Sequence, residues 1–161
     1  LSSLRILNLQ HNRLETIGTG VFESLLHLQE LNLRGNQLAV VYTLPPGVVH
    51  LDLSANRLLT GPVGLERLTN LQKLNLSVNR IETFNLINSS PFDSLRILDL
   101  SKNHLTNFNV GGTADGDGRP AAQTLSNVTT SNLQQLYLND NRLDKIDFGR
   151  SLVSLRRLDL S

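Results

Sequence analysis

The stretch Leu28-Gln-Glu-Leu31-Asn-Leu33-Arg-Gly-Asn36-Gln-Leu38 decides the fold. Its pattern, L-x-x-L-x-L-x-x-N-x-L, returns at Leu4, Val48, Leu71, Leu95 and Leu133, and a copy cut short by the end of the sequence begins at Leu155. Self-similarity at a fixed period outranks any reading of isolated residues, because each unit is too small to bury its own apolar face and must stack on its neighbours. Six full copies and one truncated copy make residues 1–161 a single domain, read as the uncapped interior of a longer array.

Inside each copy the segment x-L-x-L-x alternates, so leucines point inward and the residues between them outward, as strand geometry requires. Successive strands run in one direction and pair as a parallel sheet about 4.8 Å apart. The expected fold is an α/β solenoid: a parallel β-sheet lines the concave face, and irregular or short helical segments form the convex side. Asn12, Asn36, Asn56, Asn79, Asn103 and Asn141 fall where the chain leaves each strand. A side-chain amide there can bond backbone groups of adjacent turns that would otherwise be buried and unpaired. A second apolar column, Ile17, Val41, Phe84, Phe108 and Ile146, is expected to join the core; Gly61 beside Pro62 breaks it and predicts a looser convex side in that copy.

The copies are spaced by 24, 20, 23, 24, 38 and 22 residues. This motif is that of the leucine-rich repeat superfamily, which the chain resembles over nearly its whole length. Units of 24 with Phe22 or Phe92 before the next leucine, and a short unit containing Leu44-Pro-Pro-Gly47, occur together in Toll-like receptor ectodomains and other extracellular immune leucine-rich repeat proteins, to which this chain is similar. The resemblance implies a recognition module of an extracellular receptor or secreted immune protein, at the cell surface or beyond it, with a receptor dimer among its partners. The alternative it leaves open is an adhesion protein or a cytoplasmic scaffold on the same repeat. Family members outside the cell keep their cysteines in end modules; this sequence has none.

Composition narrows the partners. Fifteen basic residues against fourteen acidic ones supply no global field for nucleic acid or an anionic membrane. No apolar run of about 18 residues is present, so a membrane could be engaged only through parts of a parent chain outside this sequence. Arg13, Arg57, Arg80 and Arg142, with Gln37 and His104 between them, form a column at the sheet edge. N-R-L is a frequent form of the repeat with a solvated side chain, and nucleic acid is not an expected partner of this segment.

The exposed strand positions are the better binding candidates, since a protein or glycan ligand needs a continuous surface and a small molecule a mostly apolar pocket. One column reads Ile6, Glu30, His50, Lys73, Ile97, Gln135 and Arg157, and the next Asn8, Asn32, Asp52, Asn75, Asp99, Tyr137 and Asp159. Tyr137 stands where its neighbours are Asn or Asp, and aromatics are enriched among interface hot spots. Glu30, His50, Lys73, Gln135, Tyr137 and Arg157 are therefore the candidate ligand-binding set on the sheet.

The 38-residue spacing holds an insertion at about 109–132, rich in Gly, Ser, Thr and Asp, and read as a loop that either carries function or has none. Asp115, Asp117 and Arg119 are its candidate ligand contacts. Asp115-Gly-Asp-Gly118 supplies two carboxylates of a calcium loop but lacks the third oxygen ligand and the distal glutamate, so no metal is expected. His50, Asp52 and Ser54 have the residue types of a hydrolase triad, yet side chains two apart on a strand are rooted nearly 7 Å apart and point in parallel. No enzyme activity and no cofactor is expected. Sequons at Asn75, Asn88 and Asn127 are candidate glycosylation sites, and their number is about what chance supplies.

Overall fold

The computed structural model describes residues 1–84, 94–109, 132–148 and 152–161. Among them nine three-residue strands form: β1 (Ile6–Asn8), β2 (Glu30–Asn32), β3 (His50–Asp52), β4 (Lys73–Asn75), β5 (Ile97–Asp99), β6 (Asn107–Asn109), β7 (Gln135–Tyr137), β8 (Lys145–Asp147) and β9 (Arg157–Asp159). Seven of them, one per copy, build a parallel sheet in the order β1-β2-β3-β4-β5-β7-β9. Pairing is in repeat register throughout, with Leu7, Leu31, Leu51, Leu74, Leu98, Leu136 and Leu158 in line. Register is fixed because a slip of one residue would turn every leucine to solvent. From Leu31 to Leu136 these leucines are buried, whereas Leu158 in the outermost turn is 40% exposed.

The asparagine column is the ladder that the motif predicts. The Oδ1 of Asn79 accepts the Leu58 N–H at 3.0 Å, and its Nδ2 donates to the carbonyls of Leu53 at 3.0 Å and Leu76 at 2.9 Å. Asn36, Asn56, Asn103 and Asn141 repeat the arrangement. Asn12, in the first turn, reaches only the carbonyls of Leu9 and Gln10. The residue before each ladder asparagine turns the chain in the left-handed region: His11, Gly35, Ala55, Val78, Lys102 and Asp140 have φ between 53° and 67°. Glycine adopts that conformation freely, and β-branched Val78 is the most strained of the six.

On the convex side the described residues include a short 3-10 helix, Leu65–Arg67, and a second parallel pair, β6 with β8, that places Phe108 opposite Ile146. The strand character of this pair was not read from the sequence, although both residues belong to the second apolar column. Phe108 is buried and meets Phe148 edge to face at 6.4 Å, while Ile146 near the outer turns is 38% exposed. The looser packing expected at Gly61 is corrected. The Phe84 ring fills the space: a Cβ on Gly61 would meet Phe84 Cε2 at 2.9 Å, and Pro62 is buried beside it. The 20-residue unit instead leaves a notch of about 380 Å³ on the convex side. Phe22 and Glu23 wall it from the preceding unit and Val63 and Arg67 from the following one.

Candidate ligand groove on the concave sheet

Three residues of each strand face alternately in and out, so the outer residues of β2, β3, β4, β5 and β7 meet across the concave face. They enclose an open groove of about 340 Å³ lined by Glu30, Asn32, His50, Asp52, Lys73, Asn75, Ile97, Asp99 and Tyr137. Four of the sequence candidates, Glu30, His50, Lys73 and Tyr137, are thus brought together. Gln135 and Arg157 stand beside Tyr137 on β7 and β9. Asp115, Asp117, Arg119, Asn88, Asn127 and Phe92 lie outside the described residues. Asn75 lines the groove, where an attached glycan would occupy it.

One carboxylate–imidazole contact forms inside the groove. His50 Nδ1 lies 3.5 Å from Glu30 Oε1 on the neighbouring strand, with both side chains partly exposed. Lys73 makes no ion pair among the described residues. The triad-like letters do not converge: His50 turns to Glu30, and Asp52 Oδ1 accepts the Ser54 N–H at 2.9 Å. Ser54 is fully buried, its Oγ accepting from Arg34 Nη1 at 3.3 Å. No group of three or more metal-ligating side chains gathers among the described residues. The edge arginines Arg13, Arg57, Arg80 and Arg142 are exposed, and Glu15, Glu82 and Asp144 follow three of them by two residues, so that edge is mixed in charge.

The second outward column has a duty that the sequence reading missed. Its Asn and Asp side chains bond the backbone two residues on, closing the turn out of each strand. Asn8 Oδ1 accepts the Gln10 N–H, Asn32 that of Arg34, Asp52 that of Ser54, Asn75 that of Ser77, Asp99 that of Ser101 and Asp159 that of Ser161. At Asn75 and Asp99 the serine hydroxyl adds a bond to the same oxygen, at 2.8 and 2.6 Å. The signal was present as Asn or Asp followed two places later by Ser in four copies.

Tyr137 is the exception to this column. A tyrosine cannot close the turn, so the sixth copy forgoes a bond of about 1 kcal/mol. The ring is instead held for presentation: its hydroxyl donates to Gln135 Oε1 at 3.0 Å, and the Arg157 guanidinium carbon stands 5.1 Å from the ring centroid. That is cation–π distance, and it fixes the ring from the β9 side.

Residues 1–44 and 46–105 match the model of the family described as Leucine rich repeat. The chain is similar to mimecan of Gallus gallus, 35% identical over 112 residues that make up 68% of this chain and 37% of that protein. It is also similar to leucine-rich repeat-containing G-protein coupled receptor 5 of Rattus norvegicus, 36% identical over 102 residues, or 60% of this chain and 11% of that receptor. The chain therefore spans little more than a third of the length of the first of these relatives. Among solved structures it resembles the plant peptide hormone receptor RGFR1 in complex with RGF2, at 25% identity and a TM-score of 0.67, over 100% of this chain and 28% of that one. Secreted matrix proteins and cell-surface receptors are among the relatives.

Proposed function

Because this chain belongs to the leucine-rich repeat family, a family of ligand- and protein-interaction modules, we propose that it is the recognition segment of an extracellular receptor or secreted recognition protein. It holds a macromolecular ligand in the concave groove and makes or breaks no covalent bond. Tyr137 carries this reading: an aromatic occupies the one position where every other copy closes a turn, and its ring is oriented by Gln135 and Arg157. Affinity comes from several modest contacts on a rigid scaffold, which lowers the ordering cost of binding. The secreted and cell-surface relatives support an extracellular location. A finer assignment to Toll-like immune receptors draws support from the 24-residue units, with Phe22 buried before the second copy, and from the short third-strand approach through Pro45 and Pro46.

The test is a screen of the intact protein against a library of secreted proteins, cell-surface ectodomains and glycans. Binders are then titrated against Tyr137→Ala and against Leu59→Ser on the exposed convex side. Tyr137→Ala should weaken binding at least tenfold and Leu59→Ser should leave it unchanged. Equal affinity for both variants would remove the groove from the mechanism. Glycopeptide mass spectrometry of protein from its native source checks the location: occupancy at Asn88 or Asn127 is expected, with Asn75 bare because its glycan would fill the groove, and three bare sites would favour the cytoplasmic scaffold.

A further inference from the structure

We propose that the concave groove recognises a neutral oligosaccharide, one pyranose stacked on Tyr137 and the hydroxyls of successive units on Asp99, Asn75 and Asp52. The proposal rests on the reading of this groove as the ligand surface. Its first support is the state of the turn-closing side chains. Asp52, Asn75 and Asp99 stand in register on adjacent strands, and each has one oxygen locked by a backbone N–H. What each has left for a ligand differs. An ionised carboxylate only accepts, whereas an amide nitrogen only donates, so the row offers acceptor, donor, acceptor at strand spacing. Sugar hydroxyls, which donate and accept at once, fit such an alternating row. The bonds already made hold these groups in place before the ligand arrives, which reduces the cost of binding.

The second support is the aromatic wall. Arg157 approaches Tyr137 from β9, while the groove lies on the β5 side, so the ring face toward Asp99 remains open to the apolar C–H face of a pyranose. Ile97 extends this apolar strip on β5. Charge selects among sugars: Glu30, Asp52 and Asp99 outnumber Lys73 in the groove, which disfavours a sulfated or carboxylated unit. A basic peptide would pair with the carboxylates but would set its cations against Lys73 and the Asn75 amide.

The probes are mannotriose, laminaritriose, chitotriose and N-acetyllactosamine, immobilised beside a heparin fragment and titrated with the intact protein. At least one neutral probe is expected to bind, and heparin to bind more weakly. Asp99→Asn is the decisive variant. Asn8, Asn32 and Asn75 show that asparagine closes the same turn, so the fold is kept while the free acceptor becomes a donor. It should weaken the neutral probe at least tenfold with an unchanged thermal midpoint; Tyr137→Ala should abolish binding, and Tyr137→Phe, which keeps the stacking face, should cost only a few-fold. If no neutral probe binds while a protein ligand is lost on Tyr137→Ala, the glycan assignment fails and the groove remains the binding surface. If a neutral probe binds all variants equally, the groove itself is wrong.

Discussion

Asn79 shows what one side chain carries in a repeat array. Its amide satisfies one N–H and two carbonyls on two different turns, all of them in the interior. Removing it leaves the Leu58 N–H buried and unpaired, at about 1–3 kcal/mol, while the Leu53 and Leu76 carbonyls keep the amides of Asn56 and Asn103. Asn79→Ala should therefore cost about 1–3 kcal/mol in denaturant unfolding. Asn12 has the same letter at the same repeat position, but it bonds only carbonyls of its own turn and is exposed. Asn12→Ala should cost less than about 1 kcal/mol, because water replaces the amide. Equal losses at the two sites would mean that the ladder contributes through local turn geometry and not by tying turns together. The same distinction between repeat position and context applies at Tyr137, where the column supplies the strand and the substitution supplies a new surface.

At the scale of the repeat unit, the convex side shows how neighbouring turns correct one another. Gly61 lacks the apolar side chain of its column, and the Phe84 ring of the following turn occupies the space. Gly61→Ala alone should destabilise by about 1–3 kcal/mol, since its Cβ would lie 2.9 Å from Phe84 Cε2. Phe84→Ala should cost about 3–5 kcal/mol by opening a cavity. In the Phe84→Ala background the alanine at 61 should cost almost nothing, and a double-mutant cycle by chemical denaturation reads the difference; strict additivity would show that the two sites do not touch. This contact also marks the limit of what the sequence discloses. The seven strands, their register, the ladder and the residues that meet in the groove were legible because the motif fixes each of them within one unit. Three features were not: the Phe84–Gly61 fit, the β6–β8 pair and the turn-closing bonds of Asp52, Asn75 and Asp99. The first two depend on contacts between units of unequal length, and the third on a side chain serving two purposes at one position. Tyr137 was visible as an odd letter, but the bond it forgoes was visible only in the structure.

Over the whole molecule each strand pairs only with its sheet neighbours, so the array behaves as a one-dimensional stack whose stability is a sum over turns and their interfaces. The 38-residue unit tests that description. It separates β5 from β7 and β6 from β8 by a longer chain than elsewhere, yet Leu98 still faces Leu136 and Phe108 still faces Ile146. The ladder also continues across it, with Asn141 Oδ1 on the Leu105 N–H and Nδ2 on the Leu100 carbonyl, both at 3.0 Å. Along the sheet and the ladder the interface between these two turns is thus built like the others. Loop-closure entropy grows only with the logarithm of length, so 14 extra residues without packing contacts would cost about 0.4 kcal/mol. Excising 14 residues between Asn109 and Asn132 should leave the unfolding free energy within about 0.5 kcal/mol of the parent and the groove ligand's affinity unchanged. A loss of more than about 1 kcal/mol would mean that the inserted segment packs against the solenoid and that the stack is not held by its turns alone. Unchanged stability with weakened binding would place Asp115, Asp117 and Arg119 in the ligand surface beside Tyr137. The excision thus separates the insertion's mechanical contribution from its share in recognition.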